Sequence, residues 1–181
     1  MLQVSYGQLV LFVSILWVLV RVAVNVRQKS LSWARELQLL LVYICIIVVL
    51  RCTCFPFAKV NGQVQPMFID WSHQFPIRWN LWPLVYLMDY PTRREILLNI
   101  IGNTTMFIPI GIILPIVYKS LNTHMRAIAA GLGFSLVIEI LQLWVYDRVS
   151  DIDDLILNSL GYLVGYGLLV LIRTIKRKRA K

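Results

Sequence analysis

Apolar residues fall into five long blocks separated by short polar or basic stretches: Leu9 to Val26, Leu37 to Phe57, Glu95 to Tyr118, Ala127 to Tyr146 and Asp154 to Arg173. A helix that crosses a bilayer needs roughly 20 mostly apolar residues. The pattern therefore predicts an all-α integral membrane protein with five transmembrane helices. The first block starts at about Gln8, with no basic region ahead of it and no small-residue cleavage site behind it. It reads as a span, not as a signal peptide. Pro56 ends the second block, while Pro109 and Pro115 lie inside the third.

One membrane domain is expected over residues 1–181, with two less distinctive helices in 1–58. The connection over residues 58–94 is too long and too aromatic for an ordinary loop. Phe68, Trp71, Phe75, Trp79, Trp82 and Tyr86 recur at spacings of three and four, interrupted by Pro76 and Pro83. This predicts one or two short amphipathic segments lying at the membrane interface. They would form either an aromatic belt or a cover over the polar residues described below.

Composition strengthens the membrane reading. Of 181 residues, 59% are hydrophobic and 15% charged, against about 45–50% and 25% in soluble domains. The net charge of +9 does not indicate nucleic acid, because the bases sit between apolar blocks and not on one soluble face. They order the topology instead. Short cytoplasmic connections are enriched in Lys and Arg. Placing the tail Lys176 to Lys181 inside and alternating backwards puts 12 of the 18 bases on the cytoplasmic side. The expected topology is N-terminus out and C-terminus in, with residues 174–181 as a basic cytoplasmic tail. Cys45, Cys52 and Cys54 are an odd number in one apolar block and read as helix filler.

Polar residues inside the last three blocks break the hydrophobic pattern. With a rise of about 1.5 Å per residue, Asn99 and Asn103 lie roughly 6 and 12 Å below the outer surface. Gln142 and Glu139 lie roughly 6 and 10 Å deep, and Asn158 roughly 6 Å deep. Three helices thus place polar groups in one slab. Within each helix the groups share a face: Asn99 with Asn103; Ser135 with Glu139 and Gln142; Asp151 with Asp154 and Asn158. Gly102, Gly131, Gly161 and Gly165 are placed to let backbones approach. Ionisable groups in hydrocarbon are costly and persist mostly when paired or used. The plain alternative is that Asn, Gln and Glu only join helices through hydrogen bonds.

The turn Asp151-Ile152-Asp153-Asp154 offers close carboxylates for a divalent cation, or else an acidic cap on the fifth helix; the cap is the reading preferred here, with no metal and no cofactor expected. Arg148 could clamp an anion. No Ser-His-Asp or Cys-His set is apparent, since His73 and His124 fall on opposite sides of the expected membrane.

The chain resembles the VanZ-like family over roughly residues 80–171. The resemblance lies in Asn80-Leu81-Trp82-Pro83, in Asn99-x-x-Gly102-Asn103-x-x-x-Phe107-x-Pro109-x-Gly111, and in Ser135-x-x-x-Glu139-x-x-Gln142. It continues through Arg148-x-x-Asp151-x-Asp153-Asp154-x-x-x-Asn158-x-x-Gly161-x-x-x-Gly165. It implies a multi-pass protein of a bacterial cell membrane, in a family named for low-level resistance to teicoplanin, a glycopeptide with a fatty tail.

Three functions fit. The first is binding of a membrane lipid, a lipid-linked wall precursor or a lipoglycopeptide through Asn99, Asn103, Glu139, Gln142, Arg148, Asp151, Asp154 and Asn158. The second is an enzyme acting on a lipid phosphate or headgroup, with Glu139 as acid/base. The third is a structural partner of another membrane protein.

Overall fold

The computed structural model describes residues 1–29, 31–55, 59–69, 78–88, 90–121, 123–146 and 148–180. Five helices are long and apolar enough to cross a membrane: α1 (Tyr6–Gln28), α2 (Trp33–Cys54), α4 (Arg93–Val117), α5 (His124–Gln142) and α6 (Ile152–Arg179). Each corresponds to one predicted block. The differences are at the ends. The basic tail beyond Arg173 stays helical to Arg179, because Lys and Arg are good helix formers and suit a helix C-terminus.

The chain divides into two units, one comprising residues 1–77 and 142–148, the other residues 78–141 and 149–181. In the first, α1 opens on a capping box: the Ser5 hydroxyl accepts from the Gln8 N–H at 3.2 Å, and the Gln8 side chain accepts from the Ser5 N–H at 2.8 Å. None of the α1 residues is buried. The helix meets α2 through a Ser14–Tyr43 hydroxyl contact of 2.6 Å and the Trp17 and Tyr43 rings, 5.5 Å apart. Cys45, Cys52 and Cys54 lie along α2 as thiols, without a disulfide.

In the connection after α2, the described residues up to Ile69 form short strands in place of the expected amphipathic segments. Strand β1 (Leu2–Val4) pairs antiparallel with β4 (Met67–Ile69), so Phe68 faces Gln3 across a ladder. Strands β2 (Lys59–Val60) and β3 (Gln63–Val64) form a hairpin around Asn61 and Gly62, whose φ values are 52° and 76°. Asn-Gly with both residues at positive φ is the preferred two-residue hairpin turn. Replacing Gly62 with valine is expected to cost about 1–2 kcal/mol through the left-handed conformation alone. Faster hydrogen exchange at Lys59 to Val64 in the variant would report it. Trp71, Phe75, Pro76 and His73 lie outside the described residues. Trp79 lies in strand β5 (Trp79–Asn80), and a short helix, α3, follows at Val85–Met88.

In the second unit, α4 and α6 run parallel with backbones in contact. A Cβ on Gly161 would strike the Thr104 carbonyl, one on Gly165 the Ile108 carbonyl, and one on Gly111 the Tyr162 carbonyl. Close approach at small residues is how membrane helices gain packing without a hydrophobic driving force between them. Gly131 on α5 faces the Tyr162 ring, whereas Gly102 meets open space. Phe107 and Phe134, 5.7 Å apart and edge to face, fill the space between α4 and α5. At the far end of the pair, Arg173 donates to the Pro115 carbonyl at 3.5 Å.

Candidate functional site

The turn before α6 organises the polar end of the second unit. Strand β6 (Ser150–Asp151) pairs parallel with β5, setting Asn80 opposite Asp151. Asp151 is then the N-cap of α6, its carboxylate accepting from the Asp153 N–H at 2.9 Å and from Asn80 Nδ2 at 3.1 Å. Asn80 Oδ1 accepts in turn from the Trp82 N–H at 3.1 Å. Burial pushes the Asp151 carboxyl above its ordinary value, more than these hydrogen bonds pull it down.

The neighbouring carboxylates diverge. Asp153, buried, accepts the Leu84 N–H on both oxygens at 2.9 Å. Leu84 has φ 67°, a conformation that costs a non-glycine residue about 1 kcal/mol or more and persists only where the surroundings impose it. The Asp153 carboxylate is what holds it. Asp154 accepts from Asn103 Nδ2; Asn103 also reaches Asn99 Oδ1 at 3.3 Å, and Asn99 donates to the Tyr90 hydroxyl at 3.0 Å. The acidic turn therefore caps a helix and ties three segments together. No group of three His, Cys, Asp or Glu side chains among the described residues is placed to hold a metal ion.

From α5, Glu139 enters the same network. One carboxylate oxygen accepts from the Ser150 hydroxyl at 3.2 Å and the Asp151 N–H at 3.0 Å. The other is buried with no partner among the described residues. About two to three turns further along α6, Asn158, Ser159 and Tyr162 are also buried, and among the described residues Asn158 Oδ1, Ser159 Oγ and the Tyr162 hydroxyl lack partners, as does Thr104 Oγ1 on α4. Buried polar atoms without partners cost about 1–3 kcal/mol each and are uncommon in folded proteins.

Six of the eight sequence-predicted residues (Asn99, Asn103, Glu139, Asp151, Asp154 and Asn158) belong to this unit. The other two, Gln142 and Arg148, belong to the first. There Gln142 donates to the Thr53 carbonyl at 3.0 Å and Arg148 to the Phe55 carbonyl at 3.0 Å. Both satisfy backbone acceptors left over at the C-terminal end of α2. Sequence reasoning left out Asn80, Leu84, Ser159 and Tyr162. The Asn80-Leu81-Trp82-Pro83 turn signal was the available clue for the first two.

The fold defines a multi-pass membrane protein with a buried polar cluster at one end of a helical unit. The VanZ/LLP1 family model matches residues 10–173. The chain belongs to the VanZ/LLP1 family. No curated protein and no solved structure matches it.

Proposed function

We propose that the polar end of the second unit binds the headgroup of an amphiphile in the outer leaflet, a lipid-linked wall precursor or a lipoglycopeptide, and so contributes to teicoplanin-type resistance. The observation that carries this reading is the set of unpartnered buried atoms on Glu139, Asn158, Ser159, Tyr162 and Thr104. Those groups can accept or donate to a polar ligand that reaches below the membrane surface. Glu139, Asn103, Asp154 and Asn158 would supply hydrogen bonds, with Asn99 and Asp151 positioning them. Directly after Asn80, the side chains of Leu81, Trp82, Leu84, Val85 and Met88 are exposed. They offer apolar surface for the acyl part of the same ligand, the role of a cover at the interface. Charge along the chain supports an N-terminus outside and a C-terminus inside, which sets this end toward the outer leaflet of a bacterial cell membrane.

The test is Glu139→Gln, alongside Asn158→Ala, in a glycopeptide-susceptible host. Glutamine keeps an acceptor for Ser150 and for the Asp151 N–H, so the fold is retained. The host's teicoplanin susceptibility is expected to return to that of cells lacking the protein, with inserted protein and thermal stability unchanged. Full protection by both variants would refute the reading.

A further inference from the structure

A second site lies in the first unit. The groove between α1 and α2 has a volume of about 410 Å³ and is walled by Trp17, Val22, Trp33, Leu37 and Leu40. That size falls in the range of small-molecule and cofactor sites, roughly 300–1,000 Å³. Its polar end holds Arg21, Asn25 and Glu36. Glu36 accepts from Arg21 Nε at 2.9 Å and from Asn25 Nδ2 at 3.0 Å, and forms an ion pair with Arg21. The acid is thereby neutralised within the wall of the groove. Around it, residues 21–36 carry Arg21, Arg27, Lys29 and Arg35 against Glu36 alone, and Arg27 and Lys29 are exposed.

The slot is apolar, its own Arg21 and Glu36 offset each other, and the exposed cations Arg27 and Lys29 follow it in sequence. From Trp17 to Asn25 it follows α1 for about 12 Å, close to half the roughly 30 Å hydrocarbon core. Its complement is an acyl chain below an anionic headgroup. We propose that this groove binds one anionic phospholipid of the leaflet at the C-terminal end of α1, with a chain between Trp17 and Leu37 and its phosphate at Arg27 and Lys29. Polybasic segments at a membrane edge attract anionic lipid generally; the slot makes one such lipid resident.

The full chain, delipidated in detergent and mixed with phosphatidylglycerol or phosphatidylcholine, tests this by native mass spectrometry. One phosphatidylglycerol is expected to stay bound under activation that strips phosphatidylcholine. Leu37→Trp fills the slot from an exposed position and should abolish retention, and Arg27→Gln with Lys29→Gln should weaken it. Neutralising Lys176, Arg177, Lys178 and Arg179 should leave it unchanged. Equal retention of the two lipids, indifference to Leu37→Trp, or loss on neutralising the tail would each overturn the proposal.

Discussion

Substituting Gly161 or Gly165 is expected to be among the most damaging small changes in the chain. An alanine methyl at either position meets a backbone carbonyl of α4, at Thr104 or Ile108, and backbone cannot rotate aside as a side chain can. Overpacking of this kind costs about 1–3 kcal/mol, occasionally more, and leucine would separate the helices outright. Gly102, Gly133 and Gly167 meet open space, so alanine there should be nearly neutral, within about 0.5 kcal/mol. Thermal unfolding of the purified protein in detergent separates the two sets. A uniform response across all five positions would contradict the α4–α6 contact.

The second large effect is expected at Asp151. Its side chain accepts from both Asp153 N–H and Asn80 Nδ2, while its backbone N–H binds Glu139. Asp151→Ala removes a helix cap and strands the Asn80 amide, for a cost of about 1–3 kcal/mol. Asp151→Asn keeps an acceptor and should be far milder. The pH dependence distinguishes charge from shape. Burial raises the folded-state value of this carboxyl above 3.8, so the folded protein holds the proton more tightly than the unfolded chain does. Its favourable contribution is complete below the ordinary aspartate value and is lost as pH rises through the raised one. The unfolding temperature of Asp151→Asn, measured relative to the parent protein, should therefore climb as pH rises across that window and level off above it. A difference that is constant with pH would show that Asp151 titrates normally.

The spans were legible because each is a continuous apolar block, a signal that needs no knowledge of neighbours. The grouping of Asn103 with Asp154, and of Glu139 with the acidic turn, followed from depth along helices of known rise. Depth does not say where a side chain ends up. Gln142 lies in the same slab as Glu139, yet its amide goes to the Thr53 carbonyl. Arg148 likewise serves Phe55, because the unsatisfied carbonyls at the end of α2 needed donors. The aromatic spacing misled for a related reason. Phe68 and Trp79 obey a helical interval, but each belongs to a strand whose partner, at Gln3 or at Ser150, lies 65 or 71 residues away in sequence. Asn61-Gly62 was a local sign of strand structure in that stretch. Gly102 was read as a close-approach position and Gly111 was not, although only Gly111 sits against α6; the two are indistinguishable until the rotation of α4 is known.

The glycine contacts restrict how this protein can change shape. With main chain seated against main chain at Gly161 and Gly165, α4 cannot slide along α6 by less than a full turn without lifting a carbonyl out of its notch. Shear between packed helices relies on side chains that can readjust, and none lies between these two at those points. The pair is built to move as a single strut, and under the proposed function any opening of the polar end would fall to α5 or to the segments that cap it.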